Sequence, residues 1–204
     1  MKASKATAKA RPSKEMRDEV RRNEIVAAAQ ECVVRRGFHA ASMAEIATTA
    51  RMSVGQIYRY FANKEAVVHA IVERIAANRL QTLSETAGHP DEAAKVVELL
   101  AGPGPDALSD DDILMLEVTA EATRSPAVAE MVRRADEKLR ALAIARFERG
   151  HPKLSVNAVS ARIEILAVLF EGTLFRRMTA RNSQSSSLRA LYGEIIGRLM
   201  SQKE

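Results

Sequence analysis

The residue types that carry chemistry in enzymes are sparse in this sequence. Its histidines are His39, His69, His89 and His151. Their spacing places no two of them on one helix face, as a zinc site would need. The single cysteine, Cys32, excludes an intrachain disulfide and falls on the apolar face of a predicted helix, where an inert thiol is the default. Because glycine-rich phosphate loops and nucleophile elbows are also missing, we predict no enzyme, cofactor or metal site.

A different chemistry is concentrated in the stretch SVGQIYRYFANK, residues 53–64. It holds two of the three tyrosines of the chain, together with a glutamine, an arginine and a lysine. Glutamine pairs bidentately with adenine, arginine reaches guanine or phosphate, and hydroxyl groups bind phosphates. A helix that begins at Ser53 adds free backbone N–H groups, and Gly55 lets the backbone approach a ligand closely. These types and spacings indicate DNA binding.

The net positive charge of the chain is concentrated in its N-terminal part. Residues 1–80 hold 15 Lys/Arg and 8 Asp/Glu, a net charge of +7, whereas residues 81–204 hold 16 and 18, a net charge of −2. A basic N-terminal part on a near-neutral remainder favours a polyanionic partner for that part alone. Affinity for DNA that falls steeply with salt would separate a DNA-binding protein from an enzyme or from a helical interaction protein.

Two short predicted helices position this chemistry. Ser42 and Glu45 match a capping box that opens the first, and Ser53 is the N-cap of the second. About three residues separate the helices, as in a helix-turn-helix, whose second helix enters the major groove. Ile57 and Phe61 are predicted core residues. The predicted DNA-contacting residues are Ser42, Arg51, Ser53, Val54, Gly55, Gln56, Tyr58, Arg59, Tyr60 and Lys64. Lys64 stands out, because a cation at a helix N-terminus makes best sense beside an anion.

Helical spacing continues through the rest of the chain, so we predict an all-α fold. Gly37 should end the first helix, and Phe38 should enter the core. The expected domains are a disordered basic arm (1–14), a helix-turn-helix DNA-binding domain (15–70) and a domain for effector binding and dimerisation (71–204). Residues 165–175 are the longest apolar candidate and are too short to span a bilayer; with no export signal visible, a cytoplasmic location is expected.

The segment RRNEIVAAAQECVVRRGFHAASMAEIATTARMSVGQIYRYFANKEAVVHAI resembles the N-terminal region of the TetR family of bacterial transcriptional repressors. The resemblance covers about residues 20–70. It implies a three-helix DNA-binding head, a connecting helix, and a helical body that dimerises and binds a small molecule. Arg51 stands where the family usually has glycine, which would cost roughly 1 kcal/mol in a left-handed turn. Val33 and Tyr60 replace a frequent phenylalanine and histidine.

The predicted dimer interface lies on two late helices, 156–178 and 188–200. Each is apolar over much of its circumference and therefore needs burial on several sides. Two such helices from each of two chains would form a four-helix bundle, as the family resemblance also implies; covering a monomer core is the alternative. The predicted interface residues are Ile163, Leu166, Phe170, Gly172, Leu188, Leu191, Tyr192, Ile195 and Leu199.

The effector is less well specified by the sequence. The candidate ligand-binding residues are Met115, Glu117, Val118, Glu121, Phe147, Phe170, Glu171 and Leu174. Glu171 interrupts an apolar run, where a carboxylate is costly unless it is paired. It either bridges to an arginine across the dimer or meets a cationic ligand, and we hypothesise a hydrophobic effector that is cationic or amphipathic.

The function predicted from the sequence is a homodimeric repressor that binds a palindromic operator in double-stranded DNA. A small hydrophobic ligand, with a hypothetical link to efflux, would release it. A ligand-responsive activator of the same fold is the alternative. The operator sequence, the regulated gene and the effector are not encoded in any recognisable pattern.

Overall fold

The computed structural model describes residues 13–86, 91–101, 108–179 and 185–201, and every regular element in these ranges is an α-helix. The helices are α1 (Lys14–Ala40), α2 (Met43–Thr49), α3 (Val54–Tyr60), α4 (Lys64–Thr86), α5 (Glu92–Ala101), α6 (Asp110–Ala122), α7 (Pro126–Gly150), α8 (Val156–Thr179) and α9 (Ser186–Leu199). The prediction of an all-α fold is confirmed. Of the predicted basic arm, residues 1–12 lie outside the described residues, whereas Ser13 caps α1 and Lys14 begins it.

The chain forms two compact units that divide between Val67 and Val68. We call the described residues 13–67 the head and the described residues 68–201 the body. Helix α4 begins in the head and ends in the body, so the division falls inside one helix. The sequence predicts the start of the body a few residues later, at position 71.

In the head, α1 packs against α2, and α2 packs against α3. The Ser13 hydroxyl accepts a hydrogen bond from Met16 N at 3.1 Å and so starts α1. Gly37, at φ 76°, kinks the helical backbone, but α1 continues to Ala40 and does not end at Gly37 as the sequence predicts; Phe38 is buried, as predicted. The larger buried side chains of the head are Ile25, Val26, Cys32, Val33, Phe38, Ile46, Ile57, Phe61 and Val67.

In the body, α6 packs on α7, α7 on α8, and α5 on both α8 and α9. Each start of α6, α7 and α9 is a serine cap, and Pro126 opens α7 in the first-turn position that needs no N–H. One apolar cluster contains Val96, Leu100 and Ile196, and a second contains Phe147, Val159 and Ile163. Leu166 and Met200 pack against both clusters, which joins the two into one core.

The end of α9 is held by polar contacts from the neighbouring helices of the body. Nε2 of His151 lies 2.8 Å from the carbonyl oxygen of Met200, and the His151 ring stacks on Phe147 with centroids 4.0 Å apart. Nε of Arg162 donates to the carbonyl oxygen of Leu199 at 3.0 Å. These bonds satisfy carbonyl groups that the last turn of a helix leaves open.

Candidate nucleic-acid interface

Serine caps start both short helices of the head. The Ser53 hydroxyl accepts from Gln56 N at 3.2 Å, and the Gln56 side-chain oxygen accepts from Ser53 N at 2.8 Å, which completes a capping box. The Ser42 hydroxyl accepts from Glu45 N at 3.2 Å, as predicted. The carboxylate of Glu45, however, pairs with Arg36 at 3.2 Å, so the predicted capping box of α2 lacks its reciprocal bond.

The turn between α2 and α3 contains Arg51 in the left-handed region, at φ 56°. This is the position where the family resemblance favours glycine, and the strained backbone anticipated there is present. Arg51 is exposed, and its side chain makes no ion pair with any residue in the described part of the chain. The backbone N–H of the next residue, Met52, donates to Ala47 at 2.9 Å and fixes the turn.

Helix α3 has one buried and one exposed side. Ile57 is fully buried and Phe61 is 1% exposed, so both predicted core positions are confirmed. Exposed residues occupy the other side: Val54, Gly55, Gln56, Tyr58 and Arg59. A Cβ atom added at Gly55 would meet nothing within 4 Å, so the packing of the head does not require glycine there.

Two predicted phosphate ligands are engaged inside the head. The Tyr60 hydroxyl donates to Asp18 Oδ1 at 3.3 Å, and Nζ of Lys64 donates to the carbonyl oxygen of Phe38. Lys64 therefore has a partner beside the kink at Gly37, and its place at a helix start does not by itself indicate an anion. Tyr60 connects α1 with the end of α3, and Lys64 connects α1 with the start of α4.

Arg22 was not singled out from the sequence, yet it holds the end of α3. Its Nη1 donates to the carbonyl oxygen of Tyr60 at 2.7 Å, and its guanidinium lies 4.4 Å from the centroid of the Phe61 ring. Asp18, which accepts from Tyr60, lies one turn before Arg22 on α1. That spacing of two charged residues was the only available signal, because their partners are about 40 residues away.

The predicted ligand residues of the body occupy several environments. Val118 and Phe147 are buried, whereas Phe170 and Glu171 are exposed. Glu121 pairs with Arg124 at 3.1 Å. Half-buried positions are taken by Met115, Glu117 and Leu174. None of these residues lines the open groove of about 520 Å³ between α5 and α9, whose walls are Ala93, Ala94, Val97, Glu98, Arg189 and Gly193.

Glu171 attracts a cation of its own chain electrostatically. It is the strongest of the carboxylates that attract Arg79, a residue of α4. Burial nevertheless lowers the pKa of Arg79 from its ordinary value, because the loss of hydration outweighs the attraction of Glu171, Asp112, Asp136 and Asp111. Because Glu171 is exposed, water solvates its carboxylate in the single chain, and the charge does not by itself require a cationic ligand.

The predicted interface residues divide between core and surface. Ile163 is buried in the core of its own chain, and Leu166 and Leu199 pack against that core, so these three do not form a free interface. Phe170, Gly172, Leu191 and Ile195 are exposed, and Leu188 and Tyr192 are half-buried. The exposed face of α8 also presents Ile165, Val168 and Phe175, with exposed fractions between 46% and 55%.

Within the described ranges, no three His, Cys, Asp or Glu side chains come together as metal ligands. The same ranges contain no helix with the length and hydropathy needed to cross a bilayer.

Comparison with known proteins gives consistent results. Residues 25–71 match the family model described as "Bacterial regulatory proteins, tetR family". The regulator UidR of Escherichia coli K12 is 31% identical over 112 residues, which cover 55% of this chain and 57% of UidR. The match thus spans little more than half the length of that relative.

Solved structures extend the similarity to both units. The structure of Salmonella enterica GusR aligns with a TM-score of 0.74 at 25% identity, over 89% of this chain and 95% of GusR. The regulator FadR from Bacillus subtilis in complex with stearoyl-CoA shares the fold, with a TM-score of 0.62 at 20% identity over 89% of this chain and 99% of FadR. UidR and FadR are transcriptional regulators, and residues 25–71 of this chain are similar to the N-terminal region of the TetR family of bacterial regulatory proteins.

Proposed function

We propose that the protein is a DNA-binding transcriptional repressor that binds a palindromic operator as a homodimer and is released by a small molecule. The observation that carries the proposal is the exposed side of α3, where Val54, Gly55, Tyr58 and Arg59 project from a helix whose other side is buried. The N-terminal residues of such a helix contact base edges when it lies in the major groove.

The side chains of this surface have separable roles. Arg59 makes no ion pair within the described residues and is free to bind guanine or a phosphate. Tyr58, 51% exposed, offers a hydroxyl to the DNA backbone. The side-chain oxygen of Gln56 is occupied by the capping box, so its Nε2 group is the part available for a base or phosphate acceptor. Tyr60 and Lys64 act as positioning residues through Asp18 and Phe38.

The dimer is proposed from the exposed apolar face of α8 and α9. Ile165, Val168, Gly172 and Phe175 follow a spacing of three and four residues along α8, which is the seam pattern of paired helices. Leu188, Leu191 and Ile195 follow the same spacing on α9. A second copy of this face would cover it and form a four-helix bundle. Two heads would then be held about 34 Å apart on the DNA, one helical turn.

Sedimentation of three variants tests the dimer. Ile165→Glu and Leu191→Glu each place a charge in the proposed seam and should give monomers with unchanged helical content. Leu142→Glu on α7 is the matched control, because Leu142 is exposed to a similar degree, 49%, outside the seam. A dimer that survives both seam substitutions would contradict this interface.

The release mechanism is a population shift. A ligand in the body would favour a conformation whose head spacing no longer fits the operator, and it acts only through its different affinities for the two conformations. Helix α4 is the proposed lever, because it alone of the helices contains residues of both units. The stearoyl-CoA bound to FadR supports a small-molecule ligand for this fold. A cytoplasmic location and a link to efflux stay predictions.

A footprint on the DNA upstream of its own gene and the neighbouring genes tests the central proposal. Wild-type protein should protect a palindrome in the presence of excess competitor DNA. Arg59→Ala should weaken that protection about tenfold or more, whereas Arg149→Ala, an exposed arginine of α7, should leave it nearly unchanged. Protection that disperses with salt and shows no preferred site would contradict the proposal. Transcription in vitro from the protected promoter then decides between repression and activation.

A further inference from the structure

An arginine and an aspartate form an ion pair inside the body. Nη2 of Arg177 on α8 donates to Oδ1 of Asp112 on α6 at 3.1 Å, and the two side chains are only 11% and 19% exposed. The second oxygen of Asp112 accepts from Ser109 N at 3.0 Å as part of the cap of α6. Asp112 thus makes one hydrogen bond to Arg177 and one to the cap of α6, and no two-bond fork to Arg177 is present.

Arg177 retains an unused donor in this place. Its Nε atom is buried and has no hydrogen-bond partner among the described residues. A buried donor of a charged group that lacks a partner is costly, and native proteins rarely leave one. The unsatisfied N–H group belongs to the edge of the guanidinium that binds carboxylates with two parallel bonds.

Arg79 adds a second positive charge that direct contacts do not neutralise. The charge of Asp112 attracts Arg79 as well as Arg177. Among the described residues, however, no ion pair within 4.0 Å includes Arg79. Three of the carboxylates that attract Arg79 are exposed, namely Glu171, Asp136 and Asp111, and water screens exposed charges. Among the groups that are not exposed to water, two positively charged arginines therefore accompany one negatively charged aspartate.

Apolar residues lie one helical turn from the group on α8 and α6. Leu174 precedes Arg177 by one turn on α8, and Met115 follows Asp112 by one turn on α6; both are half-buried. The ion pair holds α6 and α8 together at this level. A polar end formed by guanidinium groups and an apolar wall beside it suit a molecule with an acidic group and a hydrophobic part.

We infer that Arg177, with Arg79, is a binding site for the anionic group of the effector, a carboxylate or sulfonate carried by a hydrophobic small molecule. The inference rests on the proposed function, since it names the chemical class of the effector. It replaces the sequence-based hypothesis of a cationic ligand, because Glu171 is exposed to water and the unused bonding capacity is that of a cation.

A matched pair of fluorescent probes tests the inference. 8-Anilinonaphthalene-1-sulfonate and N-phenyl-1-naphthylamine share one aromatic body, and only the first carries a sulfonate. Titrated into the full-length protein, the sulfonate should bind at least about tenfold more tightly than the neutral probe, because charge-assisted bonds to guanidinium are strong. Arg177→Met should remove most of that preference and leave the affinity for the neutral probe within about twofold.

Two further variants test whether the effect is specific to the proposed site and whether it arises from a loss of folding. Arg176→Met changes the adjacent, exposed arginine of α8 and should leave both probes unaffected. Arg79→Met keeps the ion pair of Arg177 with Asp112, so it tests the site even if Arg177→Met fails to fold, which circular dichroism would reveal. It should lower the affinity for the sulfonate while sparing the neutral probe.

Equal affinities for the two probes, no binding of the sulfonate, or a preference unchanged in both Arg177→Met and Arg79→Met would each overturn the inference. The DNA footprint is measured without any probe and is therefore independent. A protein that protects its operator but lacks the anion preference loses only this site. A protein that shows the preference but protects no DNA keeps the site and loses the proposed repressor function.

Discussion

The head and the body differ in what they leave exposed. The head ends in a polar, basic surface on α3, and its apolar side chains Ile57 and Phe61 are fully covered. The body instead exposes large apolar side chains along α8 and α9, among them Val168 and Phe175. A polar surface over a closed core suits DNA, whereas an apolar stripe in water calls for a protein surface. The head therefore offers a polar surface to a partner, whereas the body offers an apolar one.

The sharpest test of this contrast replaces one phenylalanine in each unit. Phe61→Ala should destabilise the head by about 3–5 kcal/mol, because it empties a fully buried site beneath Arg22. Phe175→Ala should change the unfolding of a monomer by less than about 1 kcal/mol, since Phe175 is 55% exposed, and weaken the dimer instead. Urea unfolding and sedimentation separate the two effects. Comparable losses of monomer stability would remove the distinction between the units.

Gly172 allows a test of the body alone. A Cβ atom added there would meet nothing within 4 Å in the single chain, so Gly172→Leu should stabilise α8 through its better helix propensity. The same side chain would overfill the proposed seam and cost the dimer about 1–3 kcal/mol, roughly tenfold to hundredfold in affinity. Gly150→Leu, at another open and exposed glycine, should leave association unchanged. Dimers of Gly172→Leu as tight as the wild type would place the seam elsewhere.

Gln56 tests whether a residue of the head surface also supports its fold. Gln56→Ala removes the reciprocal bond to Ser53 N and should destabilise the head by about 1 kcal/mol. Gln56→Glu keeps an acceptor for that bond but removes the Nε2 donor, so it should preserve stability and weaken operator binding. Thermal unfolding and footprint titration of the two variants provide the comparison. Full operator affinity in Gln56→Glu would exclude a DNA contact through Nε2.

Replacing Arg51 should cause the smallest change in stability, and this change should be stabilising. Arg51→Gly relieves a left-handed backbone at φ 56° and should stabilise the head by up to about 1 kcal/mol, less the entropy that glycine adds to the unfolded chain. If the Arg51 side chain binds a phosphate, operator affinity falls while stability rises. The slope of affinity against salt, smaller by about one ion, would identify that contact.

The elements of the head were readable from the sequence because their signals are local. Ser42 and Ser53 each cap a helix within three residues, and Gly37 marks a break at its own position. Contacts between distant segments were not readable. The bonds from Tyr60 to Asp18 and from Lys64 to Phe38 span 42 and 26 residues, and nothing in either local pattern names the partner.

The body shows a second limit of sequence patterns. Helical spacing predicted the apolar stripe through Ile163 and Leu166 as the interface, and the structure buries that stripe in the core of the same chain. The exposed stripe is the neighbouring one, through Ile165 and Val168. Periodicity determines which residues share a face, but it does not say what that face contacts when a helix is apolar on two sides. The charged group around Arg177 was missed for the same reason, since Asp112 lies 65 residues away.

The capping box of α3 has a consequence for attempts to redirect this protein to other operators. In a library that randomises the exposed positions of α3, any base-contacting side chain could replace Arg59, because the Arg59 side chain makes no ion pair within the described residues. At Gln56 the same library would first select for folding, because few side chains other than Gln, Glu and Asp can close the bond to Ser53 N. Specificity is therefore freer to change at one end of the helix than at the other, and the Arg51→Gly background would widen the range of tolerated sequences.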